Sequence, residues 1–167
     1  EEVIKAYGLK PKAEVLGIGW TSDAHHYTAP HAPTIIRALK ETIDDAGLKP
    51  EDIQYINAHG TSTPKGDAME IKCLRDVFGK QIEKIPVSSN KSQLGHTLGA
   101  TAAIEAALTI EGMSKGIILP TINYLPDPAL ADLDVVPNEA REEKIEIALS
   151  NAFGFGGTNC CVIFRGV

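Results

Sequence analysis

Apolar residues crowd positions 13–20 at the density of a strand, and then the spacing changes. Behind Pro33 and Thr34, the residues Ile35, Ile36, Leu39, Ile43 and Ala46 recur at helical intervals, with Gly47 as the stop. A strand is predicted over 53–58. A second helix runs over 66–78, with Ile71, Leu74 and Phe78 facing inward and Gly79 as its C-terminal cap. A short strand follows over 85–89, then a third helix over 97–114. Proline and aspartate replace the periodicity over 119–143, where a long surface connection with little regular structure is expected. Two last strands, 145–149 and 160–165, are joined by NAFGFGGTN.

The order is β-α-β-α-β-α-β-β after a helix end and linker in 1–12. Strands alternating with helices predict an α/β fold with a mainly parallel sheet in one domain. The last two strands are expected to pair antiparallel, because their connection is short. The third helix reads TLGATAAIEAALTI, small or apolar on nearly every face. Such a helix is expected to be buried at the centre, where small residues let another backbone approach. Glu105 lies in its middle, and a carboxylate there needs a partner or keeps its proton.

Composition narrows the partners. The chain has 167 residues, 43% hydrophobic and 23% charged, ordinary for one globular domain. A net charge of -6 argues against nucleic acid. An acidic protein partner would need a basic patch, for which Lys40, Lys65, Lys72 and Lys91 are scattered candidates. Cys73, Cys160 and Cys161 form no CxxC and read as ordinary buried residues, which favours a reducing, cytoplasmic setting. No apolar run approaches the ~18 residues of a membrane span. No signal peptide is visible, and the opening EEVIKAYGLK reads as the start of a fragment or processed piece.

The chemistry concentrates in three short runs. His59 follows a strand in NAHGTSTPKGD, where the carboxyl end of a parallel strand places ligand-binding loops. Thr61, Ser62 and Thr63 can hydrogen-bond a ligand, or can serve turn and cap chemistry with Asp67 in the first helical turn. His96, in NKSQLGHTLGA, is expected at the N-terminus of the third helix, which favours a neutral imidazole. Such a donor suits a developing enolate or thioester oxygen. Lys91 lies just upstream, and if buried it would be held by Glu70 and Glu105. Neither histidine belongs to an HExxH run or a carboxylate cluster, so no metal is expected. The glycines of GFGG precede a strand rather than a helix and fail the dinucleotide fingerprint. They read as a tight turn whose free N–H groups could form half of an oxyanion hole.

HGTSTPKGD, NKSQLGHTLGA and NAFGFGGTN, in this order, resemble the signature regions of the C-terminal half of the elongating β-ketoacyl-acyl-carrier-protein synthases, the type II class with two histidines. PTINYLPDP and DLDVVPNEAR extend the resemblance along nearly the whole chain. It implies a thiolase-like fold, in which two similar halves stack their sheets around shared buried helices. It implies decarboxylative condensation of malonyl-carrier protein with an acyl thioester in fatty-acid elongation. His59 and His96 would be the catalytic histidines, and Lys91 the active-site lysine in a charge network with Glu70 and Glu105. Thr61 and Thr63 would bind the phosphopantetheine arm of an acyl carrier protein, with no other cofactor. Phe155 would be the gate, its N–H shared with the oxyanion hole.

The family's nucleophilic cysteine lies in the other half, and the three cysteines here match no nucleophile position. The isolated chain is therefore expected to be inactive and to associate with an N-terminal half, a second chain or itself. Thr97 and Thr101 stand where bulkier or smaller residues are common in the family. A non-catalytic partner subunit, of the chain-length-factor kind, is the alternative. Retention of both histidines and Lys91 argues against it. A hydrolase would need a nucleophile elbow such as GxSxG, which is absent.

Overall fold

The computed structural model describes residues 2–167. A short helix α1 (Glu2–Tyr7) comes first and buries none of its residues. Five strands build one sheet: β1 (Ala13–Ser22), β2 (Tyr55–Asn57), β3 (Val87–Ser88), β6 (Ile147–Gly154) and β7 (Thr158–Gly166), in the order β1-β7-β6-β2-β3. β7 runs antiparallel to both β1 and β6, while β2 is parallel to β6 and β3. Four strands thus point one way and β7 alone is reversed, the mainly parallel sheet that the alternating pattern predicts.

Helices α2 (Ala32–Asp45) and α3 (Pro64–Phe78) cover one face of the sheet. Ile35, Leu39 and Ile43 of α2 are buried with Leu74 and Phe78 of α3 against Ile56, Leu149 and Ile163 of the strands. The approach of α2 to the edge strand is close because β1 presents Gly17 and Gly19 there. A Cβ at Gly19 would sit 2.1 Å from the Ala38 carbonyl oxygen, and one at Gly17 2.5 Å from that of Thr42.

The opposite face is covered by α5 (Thr101–Lys115), with Met113 packed among Tyr55, Ile118, Ala148 and Phe164. The expectation of a buried central helix holds on one side only. Thr101, Glu105, Thr109 and Met113 are buried, whereas Ala102, Ala103, Ile104 and Ala107 are exposed. Among the described residues nothing packs against that outer side. α5 also begins four residues later than the sequence pattern predicts. Leu98 takes a left-handed φ of 51°, and Leu98–Ala100 form a 3-10 turn ahead of the helix. His96 is therefore one turn outside the helix end rather than at it, and helix α4 (Lys91–Leu94) precedes it.

The connection over 119–143 is mostly irregular, as expected, but it is clasped at its base. There β4 (Ile117–Ile118) pairs antiparallel with β5 (Arg141–Glu142). Within it Arg141 grips Asp134 at 2.5 and 2.7 Å, and Leu133 and Val136 reach the core. The final hairpin is longer than predicted, because β6 continues through Asn151 and Phe153 to Gly154 in register with β7.

Candidate active site

His59 stands two residues past the end of β2, and the buried carboxylate of Glu70 on α3 holds its loop. The backbone N–H groups of His59 and Gly60 donate to Glu70 Oε1 and Oε2 at 2.8 and 2.9 Å. Asn151 Nδ2 on β6 donates to Oε1 at 3.1 Å. Burial raises the Glu70 pKa, and those N–H groups oppose the rise by favouring the charged form. Gly60 has a φ of +38°, and a Cβ there would lie 2.7 Å from Ser89 Cβ, so the turn behind His59 accepts only glycine without rearrangement.

The Phe153 N–H donates to His59 Nδ1 at 3.3 Å, and the Phe153 ring lies beside the imidazole with centroids 5.4 Å apart. A backbone N–H can only donate, so Nδ1 carries the lone pair and Nε2 the proton. Burial, and after it the positive charge of Lys91, pushes the His59 pKa down to about 3. The ring is neutral at physiological pH.

His96 arrives from the other side, after the α4 turn and Gly95. The Leu98 N–H donates to His96 Nδ1 at 3.3 Å, which again leaves the proton on Nε2. Thr101 Oγ1 is 3.0 Å from the same nitrogen. The two imidazoles meet edge to face, with centroids 5.7 Å apart and an interplanar angle of 87°. The two histidines predicted to share a site are brought together.

Lys91 opens α4 and is buried, its Nζ 2.7 and 2.9 Å from the two carboxylate oxygens of Glu105. Their side chains are 5% and 1% exposed. Burial raises the Glu105 pKa, and the ammonium opposes it. The expected network of Lys91 with both carboxylates is divided. Glu105 pairs with Lys91, while both oxygens of Glu70 are occupied by the His59 loop and Asn151. The arrangement offers two neutral N–H donors able to hold one oxygen, beside a buried, paired cation.

Over residues 12–125 the sequence matches the family described as "Beta-ketoacyl synthase, C-terminal domain". The chain belongs to the β-ketoacyl synthase family. It is 47% identical to a 3-oxoacyl-[acyl-carrier-protein] synthase 2 of Staphylococcus aureus, over 98% of this chain and 41% of that protein. The Coxiella burnetii protein of the same name is 44% identical over 93% of this chain and 38% of its own length. A β-ketoacyl synthase structure from Burkholderia phymatum superposes with a TM-score of 0.93 at 46% identity, covering 100% of this chain and 40% of that one. The chain thus spans about two fifths of the length of these relatives, and its fold is the thiolase-like fold of their structures.

The other predicted residues of this β-ketoacyl synthase domain make their contacts away from the imidazoles. Phe155 does not stack on either histidine; its ring is 63% exposed and stacks on Tyr27 at 5.4 Å. The Phe155 turn is tied to the same loop by hydrogen bonds from Gly156 N to Tyr27 O and from Asp23 N to Gly157 O. Thr61 and Thr63 bond each other at 3.1 Å at the mouth of the His59 loop. None of the three cysteines is poised as a nucleophile. Burial pushes the Cys73 thiol up to about 11 and raises those of Cys160 and Cys161. The contributions of Asn151, Phe153 and Leu98 escaped the sequence reading. Asn151 and Phe153 lie two apart on β6, past the predicted strand end at 149, and extending that strand would have placed both on one face. The left-handed Leu98 had no sequence signal.

Proposed function

We propose that the chain is the C-terminal half of a 3-oxoacyl-acyl-carrier-protein synthase of fatty-acid elongation. In this reading the carbonyl oxygen of a malonyl thioester sits between the Nε2–H groups of His59 and His96. The bond from the malonyl α-carbon to its carboxylate breaks, and carbon dioxide leaves. The electron pair passes into an enolate whose oxygen both imidazoles hold. The enolate carbon then attacks an acyl thioester on a cysteine outside this chain, and the cysteine sulfur leaves as thiolate. Two such donors are each worth about 3 kcal/mol of transition-state stabilisation.

The observation that carries this reading is the convergence of two neutral imidazoles, each with a backbone N–H at Nδ1 and its proton on Nε2. A general-base role would need a free lone pair, and neither ring keeps one. Lys91 supplies positive charge behind the pair, and Glu105 keeps that charge buried. Glu70 fixes the His59 backbone. Thr61 and Thr63 would bond the phosphopantetheine arm of an acyl carrier protein, the substrate-bearing partner. Phe155, on its exposed turn, would close over the acyl chain, with its N–H toward the acyl oxygen. No cofactor besides the pantetheine arm enters the chemistry. A non-catalytic partner subunit would have no use for two oriented donors.

The test compares the complete product of the gene encoding this sequence with the isolated chain. With acyl and malonyl carrier-protein thioesters supplied, the complete product is expected to release carbon dioxide and form the β-ketoacyl thioester. The isolated chain is expected to form none. Product from the isolated chain, or unchanged decarboxylation after His59→Ala and His96→Ala, would defeat the proposal.

A further inference from the structure

His96 is held at Nδ1 by more than the Leu98 N–H. Thr101 Oγ1 lies 3.0 Å from that nitrogen, and Thr97 Oγ1 lies 3.0 Å from Thr101 Oγ1. The direction of this chain of hydrogen bonds is fixed at one end. The Leu98 N–H points at Nδ1, so Nδ1 is an acceptor, and the Thr101 hydroxyl must donate to it. The Thr101 oxygen is then free to accept, and the Thr97 hydroxyl is the donor in reach. Thr101 is 5% exposed, which shields its bond from competing water. Although Thr101 is the first residue of α5, its hydroxyl is spent on the imidazole, and no side chain caps the helix.

We propose that Thr101, with Thr97 donating to it, is a positioning residue for His96. The pair of hydroxyls holds the imidazole in the Nε2–H form and aims it at the point shared with His59. The left-handed φ of Leu98 helps by folding the chain back, so that the Leu98 N–H and the Thr101 hydroxyl both meet Nδ1. The consequence for the reaction rests on the condensing function proposed above. The hydrogen-bond assignment does not.

The spectroscopic test uses the chain labelled with 15N-histidine at neutral pH. Thr101→Val keeps the shape and removes the hydroxyl. It is expected to raise the share of the Nδ1–H tautomer and so to move the His96 Nδ1 resonance upfield, toward the protonated position. Thr101→Ser is expected to restore the original position. Thr97→Val, at an exposed site, is expected to give a smaller shift in the same direction. The His59 resonances report the fold and should stay in place. An unmoved His96 Nδ1 in T101V overturns the proposal, as does a T101S spectrum that matches T101V. Should T101V fail to fold, an unmoved Nδ1 in T97V overturns it equally. In the complete gene product, T101V is expected to lower kcat for malonyl decarboxylation by about 3- to 10-fold with KM unchanged, and T101S is not. A wild-type product without decarboxylase activity would defeat the functional reading and leave the NMR result standing.

Discussion

Helices α2 and α5 cover opposite faces of the same sheet, and they are built with opposite polarity. α2 buries Ile35, Leu39 and Ile43 and exposes Arg37, Lys40, Glu41 and Asp44, with Arg37 paired to Glu41. α5 buries Thr101, Glu105 and Thr109 and exposes Ala102, Ala103, Ile104 and Ala107. The first is the pattern of a helix between core and water. In the second, polar residues face the sheet where polar partners meet them: Glu105 neutralises Lys91, and Thr101 meets His96. Small and apolar residues face outward, where water is a poor neighbour for them. Leu94 and Leu98, 45% and 66% exposed, continue that apolar surface past His96. Under the proposed function, that difference would place α5 between two layers, the second supplied from outside this chain.

The sharpest way to break the comparison is on the inner face of α5. Glu105→Ala leaves the Lys91 ammonium buried without its partner and is expected to cost about 3–5 kcal/mol in urea unfolding. Replacing both partners, as Glu105→Leu with Lys91→Met, should recover most of that loss. If the single and double variants are equally unstable, the pair is not what holds α5 to the sheet. On α2 the inner face is apolar, and Leu39→Ala is expected to cost about 2–5 kcal/mol by the same measurement. There no charge partner could rescue it.

A pH titration separates the two faces again. His59 has a folded pKa of about 3 against an ordinary 6.5, so the unfolded chain takes up its proton first as pH falls. Its contribution to stability is complete above 6.5 and is lost progressively toward 3, with a slope approaching about 1.4 kcal/mol per pH unit. Glu70 and Glu105, with raised pKa values, contribute in the opposite sense. The reading is therefore the difference between the chain and a His59→Gln variant. A difference that does not vary with pH between 6 and 4 would mean that His59 is not held neutral. The smallest effect is expected on the outer face of α5. Ile104→Lys should change unfolding free energy by less than about 0.5 kcal/mol while weakening self-association in light scattering. A strongly destabilised I104K would show that the outer face is already packed.

The sequence was most legible where one period governed a whole element. Ile35, Leu39 and Ile43 placed α2, and the alternation of strands with helices predicted a mainly parallel sheet. It was least legible where long-range contacts override local pattern. TLGATAAIEAALTI reads as one helix from Thr97, yet Leu98 breaks it, and the break lets the Leu98 N–H and the Thr101 hydroxyl both meet His96 Nδ1. Glu70 and Glu105 look alike as candidate partners of Lys91. Only the fold shows that Glu70 is spent on the His59 and Gly60 amides. The histidines themselves were legible because the glycines and hydroxyls around them form long motifs. Their tautomers were not, since Phe153 lies 94 residues from His59 in the chain.

The central claim is that α5 presents its inner side to the site and its outer side to a covering layer. Chemical labelling of a cysteine placed at Ala103 tests it most directly, with the unsubstituted protein as background for Cys160. The account predicts that A103C reacts readily in the isolated chain and is protected in the complete gene product. Equal reactivity in the two would contradict it.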